Sequence, residues 1–64
     1  MTQDGQTKVL QKGFAVIRKS DYPKPCIKQL KTAGVWITYA NFDTKAARDR
    51  EFKVMLQKDW VIED

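Results

Sequence analysis

Few side chains in this chain of 64 residues could carry out acid–base or nucleophilic chemistry. The sequence has no histidine, and so it lacks the commonest general base and the usual partner of a nucleophilic serine or cysteine. Cys26 is the single cysteine. Lys24 and Lys28 nearby could make its thiol more reactive, but a lone cysteine in a small domain is most often simply packed inside it. We therefore expect that the protein is not an enzyme.

Metal and phosphate sites are equally hard to build from these residues. A zinc site needs four ligands from cysteine, histidine and carboxylate side chains, and the sequence has no such cluster. Gly5, Gly13 and Gly34 are too far apart to form a phosphate-binding loop. We expect neither a metal nor another cofactor.

The basic residues are concentrated in the first half of the chain. Seven lysine and arginine residues stand between Lys8 and Lys31 against one acid, whereas from Val35 onward five basic residues accompany six acidic ones. A basic half-domain favours acidic or phosphate-rich partners, although small soluble domains also carry charge simply for solubility.

Residues 14–19 and 35–41 are predicted to be strands because they are rich in β-branched and aromatic residues. Residues 26–31 are ambiguous. Gly34 could turn a strand directly into the next one, or it could end a helix over residues 25–33 that begins at Pro25. We prefer the strand, because a helix would leave little room before Val35.

An amphipathic helix over residues 44–58 follows, with Asp43 or Thr44 as its N-cap. The predicted fold is α+β: a three-stranded antiparallel sheet packed on one C-terminal helix. The alternative is a β-α-β-α chain with residues 25–33 helical. The apolar run that begins at Trp60 would form a short last strand or fold back over the core.

The strand over residues 35–41 carries large apolar groups on both faces, with Val35, Ile37 and Tyr39 on one and Trp36 on the other. A sheet covered by one helix buries only one face well, so one of these two sets is expected to be exposed.

The length allows a single small domain, predicted to span residues 13–64 after a disordered lead over residues 1–12. The lone cysteine, the absence of a long apolar run and the polar N-terminus are typical of a cytoplasmic protein that does not contact membranes. So short a chain buries little core and often depends on a disulfide, a metal or a second chain. With one cysteine and no histidine, the chain can form neither an internal disulfide nor a zinc site, so association with a second chain is the remaining source of added stability.

Val35-Trp36, Phe42-Asp43-Thr44 and Ala46-Ala47 resemble the last strand and helix start of AP2-type DNA-binding domains, over about a dozen residues. The arm-binding domains of tyrosine integrases are similar. The resemblance implies three antiparallel strands on one helix, with the sheet entering the major groove of DNA. AP2-type domains carry several arginines on the first two strands, whereas this sequence has only Arg18 there, with lysines elsewhere.

Two functions follow as expectations. The first is a protein-interaction module or homodimer that uses an exposed apolar face of the sheet, with another protein or a second copy as the partner. Its candidate interface residues are Val35, Ile37, Tyr39 and Trp60. The alternative is binding of DNA or RNA through the basic sheet, with basic side chains on phosphates and aromatic ones on sugars or bases. Its candidate residues are Arg18, Lys19, Lys28, Lys31, Trp36 and Tyr39.

Overall fold

Residues 2–64 contain two helices and four strands, in the order α-β-β-β-α-β. The structure is a computed structural model, and it describes residues 2–64. The predicted α+β class is confirmed. The elements in chain order are α1 (Gln3–Gln11), β1 (Ala15–Ser20), β2 (Cys26–Thr32), β3 (Val35–Asn41), α2 (Lys45–Leu56) and β4 (Val61–Glu63).

The four strands form one sheet in the order β3-β2-β1-β4. β1, β2 and β3 pair antiparallel, as predicted, and the end of the chain adds β4 parallel to β1. The sheet therefore has one strand more than the three of the predicted sheet, and the apolar run at the end of the chain takes the first of its two predicted forms, a short last strand. The parallel pairing arises because β3 and β1 run in the same direction, and α2 carries the chain across from β3 at one edge to β4 at the other.

The ambiguous segment is strand β2, so the helical alternative for residues 25–33 is wrong. Ser20 pairs with Cys26 on one side of β2, and Asn41 pairs with it on the other. Thr32 pairs with Val35, which leaves a turn of Ala33 and Gly34, and Gly34 has a φ of 82° that favours glycine. Backbone pairing on both sides of β2 outweighs the helical spacing of its apolar residues.

Residues 3–11 form helix α1, where the sequence predicted a disordered lead over residues 1–12, of which Met1 lies outside the described residues. Thr2 caps the helix, because its side-chain oxygen accepts a hydrogen bond from the backbone N–H of Gly5. Gln6 is buried and donates from Nε2 to Asp64 at 3.0 Å, which ties α1 to the other end of the chain. The sequence alone could not show these tertiary contacts, which stabilise a short polar helix.

Helix α2 packs on one face of the sheet and forms the main core there. Thr44 rather than Asp43 is its N-cap, since the Thr44 hydroxyl accepts from the N–H of Ala47 at 3.1 Å. The core cluster consists of Ile17, Ile27, Phe52, Met55 and Val61. Val54, on the same helix, is apolar but half exposed.

The opposite face of the sheet carries Val16 and Leu30, both buried, and α1 packs against this side. Gly34 lies beside the start of α1, where a Cβ atom on it would come within 3.3 Å of Gln3 Nε2. Each face of the sheet therefore carries one helix, α2 on one and the shorter α1 on the other, and neither covers its face completely.

Candidate interaction surface

The residues Val35, Ile37 and Tyr39 form an exposed apolar row on β3, hereafter the β3 row. Their exposed fractions are 49%, 44% and 53%. Ile37 pairs with Gln29, which in turn pairs with the core residue Ile17, so the row lies on the face that α2 covers elsewhere. Helix α2 packs against β1, β2 and β4 and leaves the row in solvent.

Strand β3 is also an edge of the sheet, with β2 on its inner side only. Its seven residues include no charged residue and no proline. Natural edge strands are usually protected by such residues, by shortness or by bulges. The other edge, β4, has only three residues. The pairing of β3 with β2 has register shifts at Tyr39 and at Lys31, so the irregularities lie near the two ends of the shared ladder.

Three of the predicted nucleic-acid residues meet on the face opposite to the β3 row. The Arg18 guanidinium lies 4.1 Å from the centre of the Trp36 ring, a cation–π contact that covers one face of the indole. Lys28 donates from Nζ to the Thr38 hydroxyl at 2.8 Å. This side of the sheet therefore holds two cations and one half-buried aromatic ring.

The other three predicted nucleic-acid residues lie elsewhere. Lys19 faces α2, where its Nζ is 3.8 Å from an Asp49 carboxylate oxygen and 5.6 Å from the centre of the Phe52 ring. Tyr39 belongs to the β3 row. Lys31 borders an open groove of about 310 Å³ between α1 and the β2–β3 turn, lined also by Thr7, Leu10, Gln11, Thr32 and Ala33. The six residues do not form one continuous surface.

Trp60 is the fourth predicted interface residue, and it is half exposed, but it does not join the β3 row. It immediately precedes β4, and its carbonyl accepts a hydrogen bond from the N–H of Ala15 at 2.7 Å. Lys58 Nζ lies 5.7 Å from the centre of its ring. Trp60 is thus beside β1 and β4, across the sheet from β3.

Arg48 is the residue whose role the sequence did not reveal. Helical spacing places Glu51 three residues after it, where an ion pair along the helix would form, but Arg48 contacts the loop that follows β1 instead. Arg48 is only 7% exposed and donates from Nη1 to the Ser20 carbonyl at 2.8 Å and to the Asp21 carboxylate. Its Nε also donates to Asp49 Oδ1 at 3.1 Å. These contacts join α2 to the end of β1.

The charges around Arg48 support each other. The hydrogen bond from Arg48 holds the pKa of Asp21 below its usual value, and the charges of Lys45 and Lys19 act in the same direction. The hydrogen bond to Asp21 likewise raises the pKa of the Arg48 guanidinium above its ordinary value. Lys45 Nζ lies 3.8 Å from the other oxygen of Asp21. The arrangement is an ion-pair network that holds α2 in place.

The cysteine and the carboxylate side chains do not form a reactive or metal-binding site in the described residues. Cys26 is fully buried, and its thiol points towards the Tyr22 carbonyl at 3.7 Å. Over residues 2–64, the cysteine and carboxylate side chains form no group of three or more that could hold a metal ion.

Neither of the helices described here has the length and hydrophobicity needed to cross a membrane.

Comparisons with protein-family models, with curated proteins and with solved structures find no match to this chain. The resemblance to AP2-type and integrase arm-binding domains stays a prediction.

Proposed function

We propose that this chain is a non-enzymatic binding module that recognises another protein chain through strand β3. The observation that carries the proposal is the β3 row, in which Val35, Ile37 and Tyr39 are each about half exposed on an edge strand without a single charge. Exposed apolar groups that lie side by side, rather than scattered singly, are typical of protein contact surfaces.

The geometry supports a partner that uses both the backbone and the side chains of β3. The outer edge offers main-chain N–H and C=O groups to an added strand, and such strand addition is a recurring mode of protein recognition. The β3 row supplies apolar contacts on one face of that added strand. An aromatic residue such as Tyr39 is well suited to a contact surface, because its ring is apolar and its hydroxyl remains hydrated.

DNA or RNA is the alternative partner, and the arrangement of the basic residues supports it less well. Arg18 covers one face of the Trp36 ring, which hinders base stacking there. Lys19 lies on the opposite side of the sheet beside Asp49. Affinity for nucleic acids comes largely from cationic side chains that contact phosphates, and the β3 row contains no such side chain.

A pair of substitutions tests the proposal. We expect Ile37→Lys combined with Tyr39→Lys to weaken every protein contact of this surface by at least about tenfold, because two buried charges would be introduced into the contact. Val54→Lys is the matched control, since Val54 is equally exposed but lies on α2. Both changes are at exposed sites, and an amide NMR spectrum verifies that the fold is retained.

Two measurements read the outcome: self-association by analytical ultracentrifugation, and quantitative capture of proteins from a cell extract by tagged chain. The proposal is supported if an interaction of the wild-type chain survives Val54→Lys and disappears in the double variant. It is overturned if the double variant keeps all interactions. It is also overturned if the wild-type chain binds only a mixed-sequence DNA duplex, more weakly at about 200 mM than at about 50 mM salt.

A further inference from the structure

We propose that the partner of β3 is a second copy of this chain, paired antiparallel with it about a twofold axis at Ile37. The two four-stranded sheets would then form one continuous sheet of eight strands. This inference rests on the proposed function and names the partner of the same surface.

The edge of β3 carries the first part of the argument. A strand that exposes an unpaired backbone edge, without charge or proline, is a template for another strand. Of the two sheet edges, β4 is too short to serve, with three residues against the seven of β3. Homo-oligomers most often use closed twofold contacts, in which the same patch serves both subunits.

In this register, each apolar residue of the β3 row lies opposite an apolar residue of the same row in the second copy. With the axis at Ile37, Ile37 lies opposite Ile37 of the second copy, and Val35 lies opposite Tyr39 in both halves. Aromatic and β-branched residues are favourable cross-strand neighbours in antiparallel sheets. The two β3 rows then merge into one apolar strip, and the register shift at Tyr39 falls at the end of the paired segment.

The position of the helices leaves room for this contact. An axis perpendicular to the sheet keeps both α2 helices on the same face of the combined sheet. Each α2 packs against β1, β2 and β4 of its own chain, so neither helix covers β3. On the opposite face, Trp36 lies across from Thr38 of the second copy.

The charge of the chain gives this contact a distinctive salt dependence. Each chain has a formal net charge of +4, so two copies repel one another, whereas the paired strands themselves are uncharged. Salt screens such repulsion, and self-association should therefore strengthen as salt is raised. Binding to an acidic protein or to a nucleic acid should weaken instead.

Opposite charges at the axis test the pairing. We expect Ile37→Lys alone and Ile37→Glu alone each to be monomeric, because the twofold axis places like charges directly opposite each other. An equimolar mixture of the two variants should form a 1:1 dimer, because lysine then lies opposite glutamate. Val54→Lys, Val54→Glu and their mixture are the matched controls and should associate like the wild-type chain.

Analytical ultracentrifugation at protein concentrations from about 10 µM to about 1 mM provides the measurement. Monomeric single variants with a dimeric mixture support the inference. A wild-type chain that stays monomeric overturns it, as do Ile37 variants that dimerise alone or a mixture that remains monomeric. If the wild-type chain is monomeric but captures another protein that requires Ile37 and Tyr39, the second copy is excluded while the proposed function stands.

Discussion

At the scale of single residues, the least predictable feature is the buried Arg48. Glu51 lies three positions further along α2, a spacing at which ion pairs within one helix form. Besides the adjacent Asp49, the partners of Arg48 are Ser20 and Asp21, the latter 27 positions earlier in the chain. Helical spacing indicates only neighbours within one helix, so a contact with a distant loop cannot be found from it. Removing one partner of a buried ion pair lowers the stability of the fold, because the remaining charge stays buried without an opposite charge beside it.

We expect the ion pair of Asp21 and Arg48 to make the stability of the protein depend on acid pH. The folded-state pKa of Asp21 lies below the unfolded value of about 3.9, so this pair stabilises the fold fully above that pH. The stabilisation is lost as the pH falls through the lower, folded-state value. Asp21→Asn should therefore lower the free energy of unfolding at pH 7. In this variant the free energy of unfolding should also decrease less steeply as the pH falls.

Urea unfolding at several acid pH values measures this effect. Asp59→Asn is the control, because Asp59 is an exposed carboxylate in the turn before β4. An acid-dependent decline that is as steep in Asp21→Asn as in the wild-type chain would contradict the assignment.

At the scale of elements, the sequence predicted a strand or a helix correctly where the periodicity of apolar residues within one segment was clear. The alternation in β3 and the periodicity of α2 predicted both elements, within one or two residues of their bounds at most ends. β2 was ambiguous because its apolar residues suit both periods, and only pairing with β1 and β3 selects the strand. α1 was missed because its stabilising contacts are to the sheet and to Asp64.

The N-cap of α2 yields a prediction at this scale. We expect Thr44→Ala to reduce the free energy of unfolding by about 1 kcal/mol, because the N–H of Ala47 loses its acceptor. Asp43→Ala should change it by less than about 0.5 kcal/mol, since the Asp43 side chain is almost fully exposed and its ion pair with Lys24 is a surface one.

Denaturant titration of the two variants in parallel provides the comparison. Equal losses, or a larger loss for Asp43→Ala, would show that the cap is misassigned.

At the scale of the whole molecule, the small core is the dominant constraint. Only eight hydrophobic residues of the described chain are buried, and so short a domain gains little free energy from burial. A second copy at β3 would add burial of Ile37 and Tyr39 to each chain. Association would then contribute to folding itself rather than follow it.

We therefore expect the thermal unfolding midpoint to rise with protein concentration. Each kcal/mol of added stability raises the midpoint of a domain of this size by about 4–8 °C. A rise of several degrees between about 10 µM and about 1 mM should appear for the wild-type chain and be absent in Ile37→Lys. Differential scanning calorimetry measures both, and a midpoint independent of concentration in the wild-type chain would argue against a stabilising dimer.

The sequence by itself determined the α+β class, strands β1 and β3, helix α2 and the two-faced character of β3, and it favoured a strand over a helix for β2. These features depend on residue type and on spacing within one segment, where the periods of strand and helix leave a direct signal. It also narrowed the chemistry, because a chain without histidine and with one cysteine has few catalytic options.

Only the tertiary structure decided which face of β3 is exposed, where β4 pairs and why α1 forms. It also divided the predicted nucleic-acid residues between different surfaces and separated Trp60 from the β3 row. The physical reason is the same in each case. Burial and pairing depend on which distant segments come together, and the position of α2 over β1, β2 and β4 leaves Val35, Ile37 and Tyr39 without a cover.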